Sequence, residues 1–235
     1  MAMSVTFIDE VRQMLVPNRG SRHGPLPPLL VGLTIVTGLV DAFSYLLLGH
    51  VFVANMTGNV VFLGFALAGA TGFSIPASLV ALGSFVGGAL IGGKVGSGRG
   101  RHRGRLLATA ASLQGLLLVA SVVVAAVSGE PVSGGYRYVL IILLGISIPD
   151  LTTTVLTLTI TGVAADSAIA GGAGSAAGRR LVAVTAMLVG ALAGAALALH
   201  VDIVAPLAIA LVVTAGVALV SGRAGAADPP WVHPS

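Results

Sequence analysis

Residues 50–58 read HVFVANMTG, and the apolar run NVVFLGFALAGA follows directly. Together the two runs bring two amides, an imidazole, a hydroxyl and a glycine into strongly hydrophobic sequence. Polar groups at membrane depth cost roughly several kcal/mol each unless they are paired or hydrated. Polar or broken backbone is tolerated there only where protein or a water-filled cavity surrounds it. The pattern predicts that 50–71 is shielded from lipid and lines a site or a path.

The rest of the chain has the composition of an integral membrane protein. Hydrophobic residues make up 56%, charged residues only 9%, and the mean hydropathy is +1.02, whereas a soluble domain carries about 25% charged residues. The apolar residues fall into blocks of about twenty, which is enough to cross a hydrocarbon core of about 30 Å. We therefore expect an all-α, polytopic helix bundle in the bacterial inner membrane, with six to eight hydrophobic segments and the lipid bilayer as its partner.

Composition also excludes several classes of function. The chain has no cysteine, so disulfides and thiolate metal sites are excluded. The basic residues lie in short loops rather than on an aromatic-rich face, so we expect no nucleic-acid partner. HExxH, GxSxG and P-loop motifs are absent, which argues against an enzyme. The five histidines are scattered, so no metal and no cofactor is predicted.

We expect three regions along the chain. Residues 1–28 form a cytoplasmic N-terminal segment, 29–221 a single transmembrane domain, and 222–235 a cytoplasmic tail. In the first region, apolar residues at helical spacing predict an interfacial helix over 4–16. Pro25, Pro27 and Pro28 predict that no spanning helix begins before residue 29.

Two internal matches indicate a duplication. Residues 56–58 (MTG) match 160–162 (ITG), and the glycine-rich stretch 82–93 matches 188–199. The repeat halves would be 29–128 and 136–221. Glycines four residues apart let helix backbones approach closely, and such pairs occur at Gly83 and Gly87, at Gly88 and Gly92, and at Gly190 and Gly194.

The charge distribution bears on how these halves are oriented. Lys and Arg cluster in 1–28, 94–105, 171–180 and 222–235, with Arg137 as the exception, and such loops face the cytoplasm. All four can do so if 50–71 and 151–170 are re-entrant, which leaves three full crossings per half and makes the repeats inverted.

Length speaks against re-entry. Residues 50–71 are tight for a helical hairpin at about 1.5 Å per residue, unless one limb is extended. The alternative is seven or eight simple spans, with one basic loop on the wrong side of the membrane.

The candidate site residues are the polar side chains inside apolar segments. Asp41 is either a proton or cation coupling site, or an acceptor for helix-end amides or for Tyr45. Asp166 is the corresponding acid of the second half. Asn55 and Asn59 align on a helix, where they either bind a solute or water file or cap broken helix ends. The remaining candidates for the path are His50, which could instead mark the outer interface, Thr57, Thr157 and Thr161.

The threonines leave two conformations open. Thr157 and Thr161 share a helix face with Thr153, yet they also alternate with Thr159 as in an extended strand. Their hydroxyls could coordinate an ion or solute, or hold helices together. We expect a small-solute or ion transporter or channel with buried Asp residues as coupling sites. The alternative is a non-transporting membrane protein that binds a partner or lipid, in which the polar residues are structural.

Two stretches resemble the YoaK-like family of bacterial integral membrane proteins. They are VTGLVDAFSYLLLGHVFVANMTGNVVFLGFALAG, residues 36–69, and PDLTTTVLTLTITGVAADS, residues 149–167. The resemblance extends over about 29–220 and implies a polytopic inner-membrane protein, but it supplies no substrate and no catalytic residue. The chain has LGISIPD where family members usually carry Gln-Asn and an Arg just before the second stretch.

Overall fold

The computed structural model describes residues 7–17, 24–99, 102–129, 131–132, 134–147 and 177–226. Within them the regular structure is helical throughout, as predicted. The helices are α1 (Phe7–Leu15), α2 (Leu26–Leu47), α3 (Met56–Leu67), α4 (Ile75–Arg99), α5 (Arg103–Ser128), α6 (Gly135–Ser147), α7 (Ala177–His200) and α8 (Ala205–Ala226).

Five of these helices, α2, α4, α5, α7 and α8, are long and apolar enough to cross a membrane. The apolar helices α3 and α6 are shorter, with 12 and 13 residues. At about 1.5 Å per residue each of them covers only about 18–20 Å, less than the hydrocarbon thickness of about 30 Å. The predicted helical membrane bundle is therefore confirmed.

Two helix boundaries differ from expectation. Helix α2 begins at Leu26, with Pro27 and Pro28 in its first turn, because the amide groups of a first turn have no intrahelical partner and proline loses nothing there. Helices α4 and α5 continue into the basic segment, up to Arg99 and from Arg103. That segment is therefore mostly helix and not an open loop.

Helices α2 and α7 run parallel and touch backbone to backbone. A methyl group on Gly38 would meet the Met187 carbonyl oxygen and lie 2.7 Å from the Ala191 nitrogen. One on Gly190 would meet the Ile35 carbonyl, and one on Gly194 would lie 2.7 Å from the Leu39 carbonyl oxygen. The predicted close approach at Gly190 and Gly194 is therefore confirmed, whereas Gly83, Gly87 and Gly92 have no described neighbour within 4 Å of such a methyl group.

The pairing of α6 with α4 repeats that of α2 with α7. A methyl group on Gly145 would lie 3.7 Å from the Ala81 carbonyl oxygen and 3.6 Å from the Phe85 nitrogen. In the sequence alignment of the two halves, Ala81 and Phe85 are the counterparts of Met187 and Ala191. One glycine thus sits at the same place in both helix pairs, and α2 also packs on α8 as α6 packs on α5.

The directions of the helices show that the two halves are inverted. Helix α5 runs antiparallel to α8, because Gly115 faces Thr214 while Gly225 faces Gly104. Helix α4 starts at the end where α2 finishes, since Nδ1 of His50 lies 2.8 Å from the Gly72 carbonyl oxygen. Four residues separate α7 from α8 and six separate α5 from α6, so each of these pairs reverses direction. Helices α2 and α5 therefore run in the direction of α7, and helices α4, α6 and α8 run the other way. The two described halves therefore have opposite orientations, which confirms the prediction of inverted repeats for these six helices.

The two ends of the bundle differ in charge. We call the end at which His50 and Gly72 lie the hairpin end, and the end at which α2, α5 and α7 begin the basic end. Every described Lys and Arg except Arg137 belongs to the basic end. Helix α1 is also there, inside the segment 4–16 for which the sequence predicts an interfacial helix, and the buried carboxylate of Glu10 accepts a hydrogen bond from the Gly178 amide at 2.9 Å. The position of α1 at the membrane surface stays a prediction.

Candidate functional site

The polar stretch after α2 forms a re-entrant hairpin. Residues 51–55 run without helical structure beside the last turns of α2, and α3 then returns. The return is closed by His50, whose Nδ1 lies 2.8 Å from the Gly72 carbonyl oxygen. Residues 51–55 form no regular structure and bend at Val53 and Ala54. This short non-helical limb is how 50–71 can enter and leave at the same end of the bundle.

Asp41 holds the inner end of this hairpin. It is only 3% exposed, and its Oδ1 accepts the Val53 amide at 3.0 Å and the Ala54 amide at 2.9 Å. It stands six residues before the last residue of α2, about 9 Å along the helix axis. Both amides belong to the non-helical residues just before the N-cap of α3, so Asp41 accepts from the backbone of the hairpin and not from the end of a helix.

The second carboxylate oxygen of Asp41 is buried and has no hydrogen-bond partner among the described residues. A buried carboxylate oxygen without a partner is costly. Such an oxygen can hold a proton or coordinate a small cation. The same side chain thus fixes the hairpin through Oδ1 and leaves Oδ2 without a partner among the described residues.

Asn59 fixes the non-helical limb, residues 51–55, from the other side. Its side chain is fully buried; Oδ1 accepts the Phe52 amide at 2.8 Å, and Nδ2 donates to the Phe52 carbonyl at 2.6 Å. The amide thus pairs with both backbone groups of one residue, as a neighbouring strand would. This pairing lets an irregular segment stay buried without unsatisfied backbone groups.

Aromatic rings surround the mouth of the hairpin. His50 adopts a left-handed conformation with φ of 57° and packs edge-on against Tyr45, at 5.1 Å between ring centroids. Tyr45 in turn stacks on Phe52 instead of donating to Asp41. Phe62, Phe65 and Phe73 complete the cluster. The His50 ring is exposed, so its place is at the mouth of the hairpin.

The other predicted residues of the first half lie around the start of α3. Asn55 occupies the N-cap position without a side-chain capping hydrogen bond and is half-buried. Thr57 is exposed on the first turn of α3. Gly58 lets this turn pass close to the non-helical limb, because a methyl group there would lie 2.8 Å from the Phe52 ring.

The second half of the predicted path, Thr157, Thr161 and Asp166, lies outside the described residues. That these residues meet Asp41 stays a prediction. Sequence reasoning missed the amides of Val53 and Ala54 and the backbone of Phe52, because main-chain partners leave no signature in residue identity. It also missed the ring cluster, although the spacing of Phe62, Phe65 and Phe73 was visible.

Comparison with known proteins places this architecture in a family. The UPF0700 transmembrane protein YoaK of Bacillus subtilis (strain 168) is 48% identical over 63 residues. That match spans 27% of this chain and only 28% of the length of the relative. No solved structure matches the chain. The model of a family described as "Protein of unknown function (DUF1275)" matches residues 29–220, and the chain therefore belongs to this family of membrane proteins.

Proposed function

We propose that this protein moves a small solute or ion across the bacterial inner membrane and that Asp41 is a coupling site. The observation that carries the proposal is the unpartnered buried oxygen of Asp41 at the inner end of a re-entrant hairpin. Inverted repeats with broken segments near the midplane are a recurring plan of transporters. Ionisable residues at such depth are costly and usually functional.

The hydrogen bonds suggest how protonation and movement would be linked. An ionised carboxylate accepts shorter and stronger hydrogen bonds than a neutral acid. Asp41 in its charged form therefore binds the amides of Val53 and Ala54 more strongly than in its neutral form. A proton or cation on the second oxygen weakens these two hydrogen bonds and frees the non-helical limb of the hairpin to move. Binding of a proton or cation to Asp41 would then open the path through the hairpin in the same step.

The placement of charge supports an orientation. The basic end holds nearly all described Lys and Arg, and such loops stay on the cytoplasmic side. In this orientation the N-terminal helix and the end of α8 face the cytoplasm. The mouth of the hairpin faces outward, and Asp41 is reached from the outer side.

The test is flux in proteoliposomes with Asp41→Asn. Asparagine keeps an oxygen that can accept hydrogen bonds from both amides, but its side chain does not gain or lose a proton at ordinary pH. Proton movement is followed with a lumenal pH dye under an imposed potential, with Na⁺, K⁺ and a panel of small solutes as probes. Wild-type protein should drive flux with at least one probe, and Asp41→Asn should reduce that flux to the level of protein-free liposomes.

The matched control is Asp202→Asn at the exposed turn before α8, where Oδ1 of Asp202 accepts the Val204 amide at 2.6 Å. This control should retain wild-type flux. Equal flux from Asp41→Asn and wild type would remove the acid from the mechanism.

A non-transporting protein that binds a partner or lipid is the second candidate. It is favoured by the observation that Asp41, Asn59 and His50 all bind backbone groups of the hairpin. If these side chains are structural only, wild-type proteoliposomes carry none of the probes. Substitution of Asp41 would then change thermal stability and nothing else.

A further inference from the structure

Arg137 is out of place in the charge distribution of this protein. It is the third residue of α6 and the only Lys or Arg that the described chain places at the hairpin end. Basic residues are depleted from outward-facing segments. A single arginine on the opposite side from all the others therefore needs a reason other than topology.

The side chain of Arg137 reaches the turn that follows α2. A methyl group on Gly49 would lie 3.3 Å from Nη1 of Arg137 and 3.8 Å from its Cζ. Gly49 has φ of 94°, a conformation that other residues rarely adopt. The guanidinium group thus lies over bare backbone at the mouth of the hairpin, next to His50.

No acidic residue of the described chain pairs with this guanidinium group. Asp41 is bound to the hairpin amides, and Asp202 to the Val204 amide. The other two described acids lie on α1, at the basic end. Arg137 itself is half-buried, and its Nε is buried without a hydrogen-bond partner. A cation taken partly out of water without a counter-ion is unfavourable.

We propose that Arg137 binds an anionic oxygen group, a carboxylate or a phosphate, at the hairpin end. The planar fork of arginine matches both groups and can hold two of their oxygens at once. The first turn of α6 adds to the attraction, since its amides have no intrahelical partner and it carries no acidic residue. The same chemistry could be offered by a soluble anion or by the head group of an anionic lipid. The site does not depend on transport.

The test uses the full chain in nanodiscs of zwitterionic phosphatidylcholine. Sodium phosphate or sodium acetate replaces chloride at constant ionic strength, and the thermal midpoint is recorded against anion concentration. Wild-type protein should be stabilised, and Arg137→Gln should bind at least about tenfold more weakly, a loss of about 1.4 kcal/mol. Arg223→Gln, at an exposed arginine of the basic end, should retain wild-type affinity.

A second arm distinguishes the source of the anion. Nanodiscs containing phosphatidylglycerol are compared with phosphatidylcholine alone. If the lipid is the ligand, only phosphatidylglycerol stabilises the protein, and Arg137→Gln removes that gain. Arg137→Lys keeps the charge but loses the fork, and should weaken binding less than Arg137→Gln does. Should Arg137→Gln not fold, Arg137→Lys is compared with wild type, and equal affinity of the two would overturn the proposal. Equal responses of wild type and Arg137→Gln to phosphate, acetate and phosphatidylglycerol would also overturn it.

Discussion

The His50 imidazole and the Gly72 carbonyl oxygen lie 2.8 Å apart although 22 positions separate the residues in sequence. Nδ1 must carry the proton, because a carbonyl oxygen only accepts. This bond joins the two ends of the polar stretch at one end of the bundle. The stretch therefore returns to the side from which it entered, and α2 and α4 have opposite directions.

Cysteine labelling tests this topology directly, because the chain has no cysteine of its own. Single variants Thr71→Cys and Val201→Cys place thiols at exposed positions of the hairpin end, and Arg105→Cys places one at the basic end. In intact cells a membrane-impermeant maleimide should label the first two equally, and should label Arg105→Cys only after permeabilisation. Protection of Thr71→Cys beside labelling of Val201→Cys would mean that 50–71 crosses the membrane.

The hydrogen bonds that Asp41 accepts should contribute to the stability of the protein, and its charge should contribute to coupling. Asp41→Ala leaves the Val53 and Ala54 amides buried without an acceptor, so we expect a loss of about 2 kcal/mol or more in the free energy of unfolding. Asp41→Asn keeps an acceptor but loses the charge, so its weaker hydrogen bonds should cost about 1 kcal/mol, less than Asp41→Ala. Thermal unfolding in detergent measures both. Equal destabilisation by the two variants would show that a neutral acceptor at this position does not hold the hairpin.

The inverted arrangement could be predicted because its signals lie in the local composition of the sequence. Apolar blocks, the basic loops and the match of 82–93 with 188–199 each follow from residue identity alone. The re-entrant hairpin followed from the same charges, with length as the only objection. The short non-helical limb at 51–55 removes this objection, since it enters only to the level of Asp41, about 9 Å from the end of α2, before α3 begins.

What could not be predicted depends on which surfaces meet. Gly83 and Gly87 have the same spacing as Gly190 and Gly194, yet only the second pair faces a described helix backbone. Small residues permit close approach, but the neighbouring helix decides whether it occurs. The backbone partners of two side chains could not be predicted for a similar reason. Asp41 binds the amides of Val53 and Ala54, and Asn59 binds Phe52, but every residue except proline offers the same amide.

Asn59 should be the least replaceable amide of the hairpin. Asn59→Ala leaves both backbone groups of Phe52 buried and unpaired, and we expect a loss of about 2 kcal/mol or more in the free energy of unfolding. Asn59→Asp should be similarly harmful, because its second oxygen would face the Phe52 carbonyl. The control is Asn55→Ala, which removes a side chain without a capping bond and should cost less than about 1 kcal/mol. Melting curves in detergent that rank Asn55→Ala as the more damaging change would contradict this account.

The contact between α2 and α7 should be the part of the bundle least tolerant of added volume. A methyl group on Gly190 would meet the Ile35 carbonyl of the facing backbone, so Gly190→Ala forces two helices apart and should cost at least about 1–3 kcal/mol. Gly87→Ala is the matched control, because no described atom lies within 4 Å of the added carbon. Size-exclusion profiles and thermal midpoints should show loss of folded protein for Gly190→Ala and a wild-type profile for Gly87→Ala. The reverse order would place the critical helix contact on α4, and the close parallel pairing of α2 with α7 would no longer explain the stability of the bundle.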